Sequence, residues 1–204
     1  FHHEALSMPD GKIMVLAATE QVFTDVQGAG EVDVIGDVIL VLNHDLQVEW
    51  VWDAFDHLDV RRMATLGETC TPGGGGCPEF RLRLTANDWL HGNSLQLTPD
   101  GDILYSARHQ DWIIKIGYAS GNGSGKVLWK LGKHGDFQMI SGDLSPWFSH
   151  QHDANYESGM ASDRIILFDN GNTRQAEDST AHSRGQVLRI DERTRTVRLD
   201  LNAD

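Results

Sequence analysis

Short apolar runs separated by turn residues dominate the chain. KIMVLAAT, DVILVLN, QVEWVW, NSLQLT, DILYSA, DWIIKIG, KVLWKLG, RIILFDN, QVLRID and TVRLDL are each only a few residues long and rich in β-branched or aromatic side chains. PDG, NHD, DER and GNGSG connect them, and such clusters favour tight turns over helix. The pattern predicts a chain made almost entirely of strands. Residues 51–65, VWDAFDHLDVRRMAT, are the best stretch for a short helix.

The strands fall into repeats. His3 precedes EALSMPDGKIMVLA, His91 precedes GNSLQLTPDGDILYS, and His152 precedes DANYESGMASDRIILFDN. A second shape follows each: GDVILVLNHDLQVEWVW, DWIIKIGYASGNGSGKVLWKLG and GQVLRIDERTRTVRLDLNAD, an apolar strand, a polar turn and another strand. Self-similarity at long spacing marks repeat architectures, and a four-stranded antiparallel unit is the unit of a β-propeller. The expectation is an all-β propeller with blades starting near residues 1, 88 and 149, the first lengthened by an insertion over residues 53–88. Three such blades would not close a ring, since propellers use about four to eight. Together with a chain that opens on FHHEAL and stops at LDLNAD in mid-pattern, this predicts a piece of a longer protein. Packing around an axis would make the three repeat-heading histidines converge.

Composition bounds the partners. The 204 residues are 40% hydrophobic, enough for a real core, and their formal net charge of −13 argues against nucleic acid, which needs a basic surface. No run is long enough to span a membrane. Cys70 and Cys77 flank a glycine-rich segment that closes easily; a disulfide, and with it an oxidising compartment, is the favoured reading. Two reduced cysteines in a loop is the bland alternative. Zinc lacks a second Cys/His pair at finger spacing.

The candidate chemistry lies at the repeat starts. His91 precedes one strand and Arg108 ends the next, so antiparallel pairing puts both at one end of the sheet. An arginine with several imidazoles suits a tetrahedral oxyanion. His150 and His152 would share a face if both lay on one strand, which makes a metal site conceivable, but no HExxH or carboxylate-rich motif completes it. For any one histidine, a buried hydrogen-bonding role tying neighbouring blades is the simpler reading; three at matching positions favour function. FDNGNTR reads as a turn from which Arg174 could reach the same site. Trp50, Trp52, Trp129 and Trp147 read as packing, and Trp89 or Trp112 as a possible aromatic wall. There is no GxxxxGK[ST] loop, no GxGxxG after a strand and no GxSxG elbow.

Taken together, FHHEALSMPDG, VWDAFDHLD, NDWLHGNSLQLTPDGDILYSARHQDWIIKI, VLWKLGKHGDF, QHDANY and ILFDNGNTR resemble the aryl-sulfate sulfotransferases, bacterial enzymes that do not use an adenosine phosphosulfate donor. The resemblance implies a six-bladed propeller, of which this chain would be about half, with its site at the central channel. It implies transfer of a sulfuryl group from an aryl sulfate to a phenolic acceptor through a sulfohistidine, with ping-pong kinetics and no metal or organic cofactor. By motif, His152 would be the nucleophile, and His91, Arg108 and either His3 or His2 would hold the sulfuryl oxygens. His3 is preferred because His3-Glu4-Ala5 lines up with His152-Asp153-Ala154. Asn93 would donate to the substrate. A periplasmic or secreted location follows from the disulfide reading. The rival functions are an aryl sulfatase-like hydrolase, a non-catalytic ligand-binding propeller and a metal-dependent lactonase-like propeller.

Overall fold

The computed structural model describes residues 1–74, 77, 81–157 and 163–203. Among them fifteen strands form three sheets, and the helices are single short turns or little more. The chain divides into two compact units, Phe1–Gly92 and Asn93–Asp204. No helix among the described residues is long and apolar enough to cross a membrane.

The first unit holds β1 (Ala5–Ser7), β2 (Ile13–Thr24), β3 (Glu31–Leu42), β4 (Val48–Asp53), helix α1 (Ala54–His57), β5 (Thr69–Cys70) and β6 (Ala86–Asp88). β2 and β3 form one long hairpin, in register from Ile13↔Leu42 to Thr24↔Glu31. Its near half is flanked by β1 and β4, giving the four-stranded antiparallel meander. Its far half pairs instead with β6, which runs parallel to β3 through Asp33↔Ala86 and Ile35↔Asp88. The strands therefore run well past the apolar runs visible in the sequence. The extension is stabilised by polar groups as well as apolar ones: buried Asp33 accepts the amide of Arg83 at 2.8 Å.

The segment between β4 and β6 is the predicted insertion. Its helix is one turn, capped by Asp53 accepting from the Phe55 amide at 3.0 Å, and so is much shorter than the stretch proposed for residues 51–65. Cys70 and Cys77 are joined in a disulfide with Cα atoms 5.6 Å apart, and β5 is zipped to β6 at Cys70↔Ala86. Gly75 and Gly76 of the predicted glycine-rich loop lie outside the described residues.

The second unit opens with β7 (Gly92–Leu97), β8 (Ile103–Ala107), β9 (Trp112–Ile116) and β10 (Val127–Leu131), a four-stranded sheet in simple meander order. It continues with β11 (Gln138–Ile140), β12 (His152–Tyr156), β13 (Arg164–Asp169), helix α2 (Asn172–Glu177), β14 (Arg184–Asp191) and β15 (Thr196–Ala203). Here β12 to β15 form the meander, and β11 adds to its outer edge parallel to β15. Leu104, Ile113, Trp129 and Leu131 from the first of these sheets pack against Ile165, Leu167, Leu188 and Val197 from the second. The two sheets are thus layered over one apolar core, as sheets with one hydrophobic face must be. Helix α2 was not expected: FDNGNTR does turn at Gly171, whose φ is +74°, but the chain then winds into helix.

Candidate active site

In the first unit, three imidazoles and two carboxylates gather at the strand starts. His2 and His3 precede β1, and His91 precedes β7; His3 and His91 both have left-handed backbone, with φ of +54° and +49°. The ring of His3 stands edge-on to that of His91, centroids 5.2 Å apart, and its Nδ1 is 2.9 Å from Nδ1 of His2. His2 in turn places Nε2 3.2 Å from Asp37 Oδ1. His2 is therefore tied to the framework, whereas exposed His3 lies against His91.

The pKa of His2 is raised. Burial opposes the charged ring and is the largest single influence, but the hydrogen bond and the charge of Asp37 outweigh it. His91 has a carboxylate of its own: Nδ1 lies 2.6 Å from Asp88 Oδ2. Asp37 has a second task, accepting the amide of Gly92 at 2.6 Å.

In the second unit the same device recurs one repeat later. Asp111, aligned with Asp37 through QDWIIKI and GDVILVL, accepts the amide of His150 at 2.7 Å and approaches its Nδ1 at 3.0 Å. Asp111 caps a short 3-10 turn, Arg108–Gln110, in left-handed conformation. Gly132 packs so closely that any side chain there would collide with the Asp111 carbonyl.

That turn presents half-buried Arg108, whose Nη1 bonds Nε2 of buried His109. His150 is 1% exposed and serves the framework, as the simpler reading of a lone histidine expects. It precedes β12 and has φ of +51°, whereas His152 is the first residue of that strand. The alternation that would have put both on one face is broken, because His150 lies outside the strand that begins at His152. It also refines the repeat: the left-handed histidines at strand starts are His3, His91 and His150, a fourth, His134, lies in a turn, and His152 stands apart from them.

His152 is half-buried, and its Nδ1 lies 2.8 Å from Oδ1 of Asn170. An amide oxygen only accepts, so with Asn170 so oriented Nδ1 carries the hydrogen and Nε2 the lone pair. Among the described residues this is the one hydrogen bond to the ring. Asn93 donates from Nδ2 to the carbonyl of Gln151 at 2.7 Å; its Oδ1 is buried without a partner among the described residues. Sequence reasoning expected a donor at Asn93, and the atom left over is an acceptor. Gln151, fully buried, clamps the start of β12 to Ser106 Oγ and Trp112 O, each at 3.0 Å.

Arg174 is engaged elsewhere: Nη1 pairs with buried Asp169 at 2.6 Å and Nη2 donates to the carbonyl of His182 at 2.9 Å. Trp89 and Trp112 are buried and offer no wall: Trp89 stacks on Phe55 and donates to Arg62 O, and Trp112 lies under Lys130.

At the other end of the same strands, near Asp100, Tyr156 and Glu192, lies a cavity of about 490 Å³. Its buried Lys115 bridges Asp100 at 2.7 Å and Glu192 at 3.0 Å. Burial works against the lysine charge, but the two carboxylates prevail and raise its pKa. Tyr156 donates to Glu192 at 3.0 Å, and burial with that neighbouring charge pushes its pKa far up, so it is a neutral donor here.

The residues that sequence reading missed are Asp37, Asp88, His109 and Asn170. Asp37 had a signal in the shared GDV and QDW strand starts, and Asp88 in its place three residues before His91. Asn170 looked like an ordinary turn residue.

A family model described as arylsulfotransferase (ASST) matches residues 1–202. No curated protein matches the chain.

Proposed function

Because the chain belongs to the arylsulfotransferase family, we propose that it carries the sulfuryl-transfer site of an aryl-sulfate sulfotransferase, with a phenolic acceptor. His152 is the nucleophile in this reading. One observation carries that assignment: Asn170 holds Nδ1–H, which leaves a lone pair on Nε2 of a neutral ring. Nε2 attacks the sulfur of the aryl sulfate, the bond from sulfur to the aryl oxygen breaks, and the electron pair departs on the phenolate. The acceptor oxygen then attacks the sulfohistidine, and the S–N bond returns its pair to Nε2.

Arg108, His91 and His3 stabilise the equatorial sulfuryl oxygens, where charge collects in such transfers. Arg108 is suited to this because His109 fixes its guanidinium. His2 supports the cluster from its bond to Asp37, Asn93 offers Oδ1 to a substrate hydroxyl, and Arg174 braces Asp169 beside Asn170. Each four-stranded meander is read as one blade of a six-bladed propeller, a reading supported by its recurrence in all three sheets. The Cys70–Cys77 disulfide favours a periplasmic or secreted setting.

The test is a mass measurement. Incubation with a nitrophenyl sulfate and no acceptor should give a burst of nitrophenol and a protein heavier by one sulfuryl group. Adding phenol should discharge the label into phenyl sulfate. Steady nitrophenol release with no labelled protein would overturn the covalent mechanism, and discharge only to water would make the enzyme a hydrolase.

A further inference from the structure

The two-step transfer requires that something take the proton of the acceptor, because a phenol with a pKa of about 10 is un-ionised at neutral pH. We propose that Asp88 is a positioning residue which prepares His91 for that task; the inference rests on the sulfotransferase reading above. The Asp88 carboxylate lies 2.6 Å from Nδ1 of His91 and its side chain is 8% exposed. An ionised carboxylate only accepts, so Nδ1 carries the hydrogen and Nε2 of the neutral ring is the basic atom.

The neutral ring has no hydrogen on Nε2, so His91 gives a hydrogen bond to a sulfuryl oxygen only once it is an imidazolium. It takes a proton. As the acceptor oxygen bonds to sulfur and the S–N bond to His152 breaks, the phenolic proton passes to Nε2. The resulting imidazolium is stabilised by Asp88 and becomes the donor that protonates the departing phenolate of the next aryl sulfate. One proton enters and one leaves per cycle.

The insertion is what builds this device. β6 carries Asp88 and is fixed on one side by its parallel pairing to β3 and on the other by β5, whose Cys70 is cross-linked. The Asp88 amide donates to Glu68 O at 3.0 Å, and the next amide, of Trp89, donates to Ile35 O at 3.0 Å. A carboxylate oxygen and the sulfurs of Cys70 and Cys77 lie within 4.8 Å of one another, so the carboxylate is held away from bulk water on that side. A carboxylate so placed sets a tautomer and an orientation as it does in hydrolytic triads.

The experiment compares Asp88→Asn with the unaltered chain on two acceptors. Phenol must lose its proton, whereas a dinitro-substituted phenol is already ionised at neutral pH. The Asn variant should lose about 10²–10⁴-fold in transfer to phenol and less than about tenfold to the dinitro-phenol, with Asp88→Glu recovering part of the difference. Equal losses on both acceptors, or none, would overturn the assignment.

A second readout separates this inference from the function it rests on. Nitrogen-15 NMR of the histidines should show His91 protonated at Nδ1 in the unaltered chain and shifted away from that tautomer in Asp88→Ala, which removes the acceptor, whatever the activity. An unchanged His91 signal overturns the role of Asp88. Absence of nitrophenol release from the unaltered chain overturns the sulfotransferase reading while this signal still judges Asp88.

Discussion

The two units treat their histidines differently. In the first, the imidazoles are backed by carboxylates: Asp37 behind His2 and Asp88 behind His91. In the second, the carboxylate Asp111 serves buried His150, while His152, the proposed nucleophile, is backed by the neutral amide of Asn170. The chemical difference is sharp. A carboxylate favours the protonated ring, which suits proton transfer. An amide oxygen fixes the tautomer without adding a full charge, so in the neutral ring the lone pair lies on Nε2, where attack needs it. The units thus share a repeat pattern and diverge in the partner atom, and that atom is what divides the roles.

Removing the nucleophile should have the largest effect on this contrast. His152→Ala should lower nitrophenol release from a nitrophenyl sulfate by about 10⁴-fold or more and abolish the labelled protein mass, because groups that act as a unit fail together. The same change at His150 should act through folding, and far-UV and near-UV spectra should register it.

A smaller effect is expected from exchanging the partner atom. Asn170→Asp gives the second unit the backing that the first one has. At neutral pH the burst rate should fall by about 10–100-fold, because an added carboxylate favours imidazolium, and the loss should shrink as pH rises. Asn170→Ala should also slow the burst but show no such recovery. Identical pH profiles for the two variants would break the comparison.

The smallest effect belongs to Asp37→Asn, read in stability. The pKa of His2 is raised in the folded chain, so its pairing with Asp37 stabilises fully below the unfolded histidine value of about 6.5 and fades as pH rises through the folded value. The urea midpoint of Asp37→Asn should therefore fall short of the unaltered chain by more at pH 5.5 than at pH 9. A constant gap would mean that only the Gly92 amide contact matters at Asp37.

Much of this was legible in the chain because alternation and β-branching report directly on strands. NSLQLT, DILYSA and DWIIKIG became β7, β8 and β9 with little change. The far half of the β2–β3 hairpin was not legible, since Thr19–Thr24 and Glu31–Gly36 mix acids with apolar residues and are stabilised by partners distant in sequence. The histidine motifs were conspicuous, but their register was not. Left-handed backbone at His150 shifts the face that follows, and non-glycine residues seldom announce that conformation. Asn170 and Asp88 were invisible as partners because a hydrogen bond between side chains leaves no periodic mark.

The aspartate that reaches from the third strand of one meander to the amide heading the first strand of the next has a kinetic consequence. Asp111 can accept from His150 only after β9 is in place and the chain has passed through β10 and β11 to reach β12. Each hairpin can form from neighbouring residues, while this link closes a loop of about forty residues and must wait. This end of the second unit, which carries Arg108 and His152, therefore consolidates after the hairpins on either side of it.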